Sequence, residues 1–265
     1  MSSTIHIQAR KERAPKGHIA RAAEYLLSPV LLLIIWEFAA RAGWVDTRFF
    51  PPPSQVAETF ASMIRSGEWF HHVGLTLWRV LSGFLAGSIL GVFVGLAMGL
   101  NTLVRMLVYP LIGAIFPIPK IAIFPLVLIV FGLGERSIFV TVSLSCFFFL
   151  AVNSMVGVLN MPRVFVDVGK NLEVGRAGFF LTIALPASLP MVFAGLRLAL
   201  GAAFLVVVAI EFVSASAGIG WLIWHSWELF SIKLMFVGLL TVAGLGLALM
   251  YGVDALERVV VPWRQ

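Results

Sequence analysis

The sequence is poor in cysteine and in charge, and each shortage excludes a class of protein. Cys146 is the one cysteine among 265 residues, so no internal disulfide framework can form, and no Cys/His spacing resembles a structural zinc site. Charged residues make up only 12% of the chain, whereas 60% of its residues are hydrophobic. A soluble domain of this composition could not cover its surface with polar groups. The chain is therefore predicted to lie in a lipid bilayer, and no metal or other cofactor is expected.

Six apolar stretches reach or approach the length of about 20 residues that a helix needs to cross a bilayer. They lie at 25–43, 74–98, 105–131, 137–159, 190–212 and 234–253. Lipid offers the backbone no hydrogen-bond partner, and the stretches lack the alternating pattern of a barrel strand. The predicted fold class is all-α, with six transmembrane helices.

The basic residues indicate orientation rather than a nucleic acid partner. The net charge is +6, but the Lys and Arg residues sit mostly in the loops between apolar stretches and do not share one soluble face. Most of these loops lie on the side that carries both termini, and basic loops resist translocation. Both termini are therefore predicted to be cytoplasmic, in a multi-pass membrane protein.

The predicted organisation follows from these stretches. Its parts are a basic cytoplasmic tail (1–24), an anchor helix (25–43), an extracytoplasmic interfacial segment (44–73), a transmembrane domain (74–257) with a cytoplasmic loop at 160–180, and a cytoplasmic tail (258–265). The first apolar stretch continues to Trp44, so we expect an anchor rather than a cleaved signal peptide. Residues 49–72 open with three prolines and then show apolar residues at helical spacing, which predicts an amphipathic helix at the outer interface.

Five glycines recur at every fourth position of the second span. They are Gly83, Gly87, Gly91, Gly95 and Gly99. Four residues advance a helix by about 400°, so the glycines form a slowly winding groove that lets another helix approach closely. The groove is interpreted as a packing surface, either within the chain or between two copies; sliding during transport is the alternative.

The third span contains four prolines around Lys120. They are Pro110, Pro117, Pro119 and Pro125. Each removes a backbone donor and leaves a carbonyl without its helical partner, so an irregular segment near the bilayer centre is predicted. Lys120 either donates to those carbonyls or lines a polar path for an anion.

Arg197 and Glu211 both lie in the fifth span. Fourteen residues separate them, which is about 21 Å along a helix, so they cannot pair with each other. Arg197 is expected either to pair with another helix or to line the pathway, and Glu211 to reach the outer interface or form an outer gate. Arg79 and Glu37, close to the outer boundary, are interpreted as interfacial.

The cytoplasmic segment from Met161 to Phe180 is predicted to form a short amphipathic helix. Its apolar residues, Phe165, Val168, Leu172 and Phe179, recur at helical spacing among charges of both signs. Three basic residues against two acidic ones give a weak lipid signal, so a groove on another protein is the favoured partner over lipid headgroups.

This loop and the residues after it resemble the signature of binding-protein-dependent ABC importer permeases, in particular the sulfonate, nitrate and taurine branch. The matching residues are Asp167 to Leu185-Pro186, Pro190, Gly195-Leu196-Arg197, Glu211, Pro117-Ile118-Pro119-Lys120, Pro125-Leu126, Phe131 to Gly134, Ser216 to Gly220 and Trp263. The likeness covers nearly the whole chain. It implies a type I importer permease that transports a small anion and works as a homodimer.

The resemblance also implies two further partners, a cytoplasmic ATPase bound at the loop and an extracytoplasmic solute-binding protein. The residues assigned to the ATPase contact are Phe165, Asp167, Val168, Gly169, Lys170, Leu172, Glu173, Gly175, Arg176 and Pro186. The chain has no GxxxxGK[ST] sequence, so ATP hydrolysis belongs to the partner and the chain is not an enzyme. Membrane lipid is a partner, and nucleic acid is not.

The loop departs from the family pattern at one position. The family reads Glu-Ala-Ala, three residues, then Gly; here Asp167, Val168 and Gly169 are followed by Glu173 in the place of that glycine. The family glycine permits a tight turn between two short helices. Glu173 therefore predicts a continuous helix or an altered partner contact, with Gly175 as the alternative break, and Glu173→Gly is expected to be tolerated or to strengthen coupling.

Two other functions fit parts of the sequence. An ion-driven secondary transporter would need carboxylates at the midplane and paired broken helices, and the sequence shows one heavily broken span. A non-transporting scaffold would use the glycine groove as its interface. An intramembrane enzyme fits least, because all five His residues lie in loops or tails.

Overall fold

The structure is a computed structural model that describes the backbone of residues 18–264, and their side chains except at 18–26, 170, 176, 177 and 264. Within this range it is helical and contains no strand. The helices are α1 (His18–Arg41), α2 (Pro53–Ser66), α3 (Glu68–Leu100), α4 (Thr102–Ile115), α5 (Lys120–Phe131), α6 (Glu135–Leu159), α7 (Arg163–Asn171), α8 (Arg176–Phe179), a π-helical turn (Phe180–Ala184), α9 (Leu185–Ser214), α10 (Ile219–Glu228), α11 (Ile232–Val260) and a 3₁₀ turn (Pro262–Arg264).

Among the described residues, four helical segments are long and apolar enough to cross a bilayer: α3, α6, the continuous stretch Phe180–Ser214, and α11. Helices α4 and α5 together form a fifth candidate, bent by 100°. The all-α membrane fold is confirmed. The first span, the count of six and the cytoplasmic termini stay predictions, and residues 1–17 of the basic tail lie outside the described residues.

The chain divides into two compact units, residues 1–58 and 59–265. In the first, Glu37 joins the end of α1 to the start of α2. Its carboxylate lies 2.5 Å from Arg41 Nε and accepts hydrogen bonds from the backbone N–H and the hydroxyl of Ser54, at 3.0 and 2.8 Å. A carboxylate at a helix N-terminus satisfies a free N–H and complements the helix dipole. Glu37 thereby fixes the turn that ends at the three prolines.

In the second unit, α3 packs along α6 through the glycine groove. A Cβ at Gly91 would lie 2.6 Å from the carbonyl oxygen of Phe147, and one at Gly95 would lie 2.5 Å from that of Ala151. The other three glycines of the groove face α6 just as closely, at Val142, Ser143 and Val158. The predicted packing surface is therefore occupied within the chain, by α6.

A neighbouring face of α6 packs against α9. A Cβ at Gly195 would lie 2.8 Å from the Cβ of Asn153, so this pair of helices also approaches closely. Buried apolar residues from α3, α5, α6, α9 and α11 form one continuous core around this contact. Helix α6 therefore packs closely against both α3 and α9.

The third span breaks where its prolines predict. Helix α4 ends at Ile115 and α5 begins at Lys120, with Pro117 and Pro119 between them. Other elements also differ from the prediction, and α9 and α11 are longer than the apolar stretches 190–212 and 234–253. Helix α3 starts at Glu68, six residues before the apolar stretch, and α10 was not predicted, because its Trp and His residues interrupt the apolar pattern.

The α3–α6 contact generates a first prediction. Gly91→Ala should lower the free energy of unfolding by about 1–3 kcal/mol, since the added methyl overlaps Phe147 and Leu150. The matched control is Gly74→Ala in the same helix, where a Cβ meets nothing within 4 Å. That variant should be stabilised by about 1 kcal/mol, because alanine favours helix. Thermal unfolding in detergent measures both, and equal midpoints would contradict the packing.

Candidate functional site

Helix α7 presents an exposed apolar ridge on the predicted cytoplasmic side. The side chains of Phe165, Val168 and Leu172 expose 47%, 44% and 70% of their surface. Asp167 is exposed beside them. Apolar side chains grouped on a surface outside the hydrocarbon core indicate a site that another protein covers. We call Phe165, Val168 and Leu172 the α7 ridge.

Phe179, predicted to belong to the ridge, lies on the inner side of α7. Gly169 is buried beneath it, and a Cβ at Gly169 would lie 2.7 Å from Phe179 Cδ2. The ring needs the space that glycine leaves. Phe179 is half-buried, and through this contact it holds α7 against α8. Assigning it to the ridge was wrong, because one helical period was extended across a turn.

Glu173 forms the turn at which the family has glycine. Its φ is 49°, in the left-handed region, and the next N–H, of Val174, donates to the carbonyl of Gly169 at 3.1 Å. A bond of this span after a left-handed residue is the Schellman motif that ends helices. The expectation of a continuous helix is wrong, because Glu173 itself adopts the glycine conformation. Gly175 does not supply the break, since its φ is not positive.

The loop connects to α9 through a widened turn. Leu185 N–H donates to the carbonyl of Phe180, five residues back, and α9 continues from there with Pro186 in its first turn. Proline lacks an N–H and its ring crowds the preceding turn, which accounts for the local widening. The side chains of Lys170 and Arg176 are outside the described part, so their predicted partner contacts stay predictions.

Lys120 closes the break between α4 and α5. Its ammonium donates to the carbonyl oxygens of Ile115, Phe116 and Ile118, at 3.2, 2.8 and 2.7 Å. It also lies 4.8 Å from the centre of the Phe148 ring. Pro119 cannot donate to the carbonyl four residues before it, which is that of Ile115. Of the two predicted roles, the structure shows the one in which Lys120 satisfies freed carbonyls.

Arg79 lies at the centre of a buried ionic cluster. Its guanidinium is 2.7 Å from Glu211 Oε1 and 2.6 Å from Glu135 Oε1, and it donates to the carbonyl of Ala217 at 2.6 Å. Glu211 is fully buried and Arg79 is 6% exposed, whereas Glu135 is 57% exposed. The cluster joins α3, α6 and α9. We call Arg79, Glu135 and Glu211 the outer triad.

The interfacial interpretation of Arg79 and the snorkelling expected of Glu211 are both wrong. A charge without water needs a partner inside the chain, and each of these residues provides it for the other. Arg79 and Glu135 could have been found by treating every ionisable residue near the end of an apolar stretch as half of a pair. The sequence does not reveal which pairs form, because the partners lie on different helices.

The same cluster caps the N-terminus of α10. Three successive N–H groups donate to side chains: Gly218 to His72 Nδ1 at 3.1 Å, Ile219 to Thr76 Oγ1 at 2.9 Å, and Gly220 to Glu211 Oε2 at 2.8 Å. These donors have no partner within the helix, so side chains of α3 and α9 complete its first turn. Helix α10 is thereby tied to the outer triad.

Arg197 forms a second cluster, with two carboxylates of α11. Its Nε lies 2.5 Å from Asp254 Oδ1, and its terminal nitrogen pairs with Glu257. We call these residues the α9–α11 triad. Arg197 and Asp254 are 33% and 39% exposed and Glu257 is 10% exposed, so two of the three charges reach the surface of the protein, unlike the buried pair of the outer triad. The structure thus shows the inter-helix pairing that was one of the two expectations for Arg197.

A family profile described as the binding-protein-dependent transport system inner membrane component matches residues 87–263. Among curated proteins, the chain is 30% identical to the taurine transport system permease protein TauC of Escherichia coli K12, over 88% of this chain and 86% of that protein. It is 31% identical to the putative aliphatic sulfonates transport permease protein SsuC of the same organism, over 94% of each. A protein of the same description from Bacillus subtilis 168 is 30% identical.

Among solved structures, the chain is similar to the methionine ABC transporter MetNI in inward-facing conformations. Two crystal forms match with TM-scores of 0.59 and 0.60 at 17% and 15% sequence identity. The matches cover 69% and 71% of this chain and 94% and 96% of the solved chains. At this identity the likeness shows the fold, which is that of a type I importer permease.

The left-handed turn predicts the effect of Glu173→Gly. A side chain in this conformation costs about 1–2 kcal/mol that glycine avoids, so the variant should close the turn more firmly. Amide hydrogen exchange at Val174, whose N–H closes the turn, should slow by about fivefold or more. Gly175→Ala is the control and should leave that exchange unchanged, as its φ is not positive. Faster exchange in Glu173→Gly would contradict the turn.

The outer triad predicts that Glu211→Gln is strongly destabilising. Removing one charge of a buried pair leaves the other charge buried without a partner, which typically costs about 3–5 kcal/mol of stability. Glu228→Gln, which changes an exposed carboxylate of α10, is the matched control and should cost less than about 0.5 kcal/mol. Denaturant unfolding in detergent compares the two variants. Similar losses in both would show that the buried pair is not needed.

Proposed function

The chain belongs to the family of binding-protein-dependent transport system inner membrane components, and on this premise we propose that it forms the pathway for a small alkyl sulfonate such as taurine. Members of this family are multi-pass inner membrane permeases of ABC importers; the ATPase is a separate subunit, and a binding protein delivers the solute. Membership of this family excludes the two alternative functions, an ion-driven secondary transporter and a non-transporting scaffold. The observation that supports the substrate class is the similarity, over most of the chain, to taurine and aliphatic sulfonate permeases.

We propose that the ATPase binds the α7 ridge. The ridge consists of exposed apolar side chains on a short helix, and the turn at Glu173 sets the angle at which α8 and α9 leave it. A partner groove that covers Leu172 would bury the most exposed side chain of the ridge. Movement of that groove would reach the membrane directly, because the stretch from Phe180 to Ser214 is continuous.

We propose that two copies of the chain enclose the pathway. Since α6 already fills the glycine groove of α3, the contact between copies must use another surface. The pathway role predicted for Lys120, Arg197 and Glu211 stays a proposal in a modified form. Each has partners within the chain, so we propose that these residues hold the shape of the pathway walls rather than bind the solute.

Leu172→Arg tests the proposal. Arginine in place of the most exposed apolar side chain of the ridge should prevent a groove from closing over it, because a charge would lose its water there. We expect the variant to insert in the membrane but to lose co-purification of the ATPase. In proteoliposomes with ATPase, binding protein and ATP, uptake of labelled taurine should fall to background.

The control is Val259→Arg, the same kind of exchange at an apolar side chain of α11 that is 77% exposed. It should retain both the ATPase and taurine uptake. ATPase retained by Leu172→Arg would contradict docking on the ridge. Wild-type vesicles that accumulate nitrate but not taurine would contradict the sulfonate assignment while leaving the docking unaffected.

A further inference from the structure

Helix α9 is held at two levels by ionic clusters of the same composition. In each, one arginine lies between two carboxylates: Arg79 in the outer triad and Arg197 in the α9–α11 triad. Helix α9 contributes Glu211 to the first and Arg197 to the second. These two residues are fourteen positions apart, or about 21 Å along the helix. The two clusters therefore hold α9 at two different positions along its length.

Burial distinguishes the two clusters. Glu211 is fully buried and Arg79 is 6% exposed, and the cluster also holds backbone groups of Ala217 and Gly220. In the α9–α11 triad, Arg197 and Asp254 are 33% and 39% exposed, whereas Glu257 is 10% exposed. A buried pair that separates leaves a charge in an apolar medium, whereas a pair that is about one-third exposed, such as Arg197–Asp254, exchanges its partner for water at lower cost. If α9 moves, the contact with α11 opens first and the outer triad stays closed.

The position of Glu211 along α9 determines how far each other point of the helix moves when the helix tilts. From Glu211 to Phe180, where the helix leaves the cytoplasmic loop, the distance is about 46 Å, and from Glu211 to Arg197 it is about 21 Å. A rod that turns about Glu211 therefore moves Arg197 by slightly less than half the displacement of the loop. The Arg197–Asp254 pair, now at 2.5 Å, passes the usual limit of about 4 Å when the loop moves by about 3.3 Å.

We propose that the outer triad is the fulcrum of α9 and that the Arg197–Asp254 pair is a latch that opens in each transport cycle. This inference rests on the proposed docking of the ATPase at the α7 ridge. With the latch closed, α9 lies against α11. When the ATPase moves the loop, the latch separates, water solvates both charges, and α9 tilts about Glu211. Release of the loop closes the latch again.

A reversible lock tests the latch. Arg197→Cys combined with Asp254→Cys is joined by a short thiol-reactive cross-linker; Cys146, being buried, does not compete. The cross-linker is a bis-methanethiosulfonate, which forms a disulfide with each cysteine and is therefore released by a reductant. In the reconstituted complex with the ATPase, cross-linking should abolish ATP-driven taurine uptake and suppress ATP hydrolysis, and reduction should restore both. Unchanged hydrolysis and uptake in the cross-linked complex would overturn the proposal.

The matched control locks α9 beside the fulcrum. Phe212→Cys with Trp224→Cys joins α9 to α10, at positions where the two rings stack 5.7 Å apart. Because little movement occurs near a fulcrum, cross-linking this pair should leave uptake and hydrolysis unchanged. Inhibition equal to that of the latch cross-link would overturn the assignment of the fulcrum.

A charge change gives a second measurement that needs no cross-linker. Asp254→Asn weakens the latch, so the complex should open more readily, and basal ATP hydrolysis without binding protein should rise by about two- to fivefold. Asp46→Asn, which weakens the exposed Asp46–Arg48 pair in the α1–α2 turn, is the control and should have no effect. Hydrolysis unchanged in Asp254→Asn would overturn the latch. Coupled hydrolysis without taurine uptake in the wild type would instead count against the substrate alone.

Discussion

The bilayer interior does not solvate charge, and this constraint determines how the helices of the second unit are arranged. Each ionised side chain near the membrane must find its partner within the protein. Arg79 therefore joins α3, α6 and α9, Arg197 joins α9 to α11, and Lys120 closes the break between α4 and α5. Two charges on adjacent helices can pair only when they lie at the same level along the helix axes. These residues therefore fix which helices are neighbours and how far each is shifted along the other.

Close packing of the helices adds contacts along their length that the ionic clusters do not provide. The glycines of α3 let α6 approach to backbone contact along most of its length, and Gly195 lets α9 approach side chains of α6 closely. Dispersion contacts at this distance act over the whole helix pair, whereas each ionic cluster acts at one level. The combination gives a closely packed three-helix core. From it, the continuous stretch Phe180–Ser214 extends toward the predicted cytoplasmic side, where α8 and the turn at Glu173 connect it to the α7 ridge.

The elements that sequence reasoning predicts well are those set by local pattern. The length of the apolar stretches predicted the long helices, and the spacing of the prolines predicted the break near Lys120. The recurrence of glycine at every fourth position predicted a packing face. The sequence did not reveal the outer triad, because its three charges come from helices far apart in the chain. Helix α10 was missed because Trp and His residues interrupt its apolar pattern and because its first turn is completed by side chains of α3 and α9 rather than by a local cap.

The turn at Glu173 shows how a family feature persists without its usual residue. Phe230 repeats the arrangement at the end of α10: its φ is 54°, and the following N–H, of Ser231, donates to the carbonyl of Ser226 at 2.8 Å. In both turns the hydrogen bond across the helix end offsets a conformational cost of about 1–2 kcal/mol. Such a cost is small against the total stability of a domain, about 5–15 kcal/mol. A glutamate can therefore replace the family glycine and leave α7 and α8 at a tight turn, so that the ridge still faces outward for a partner.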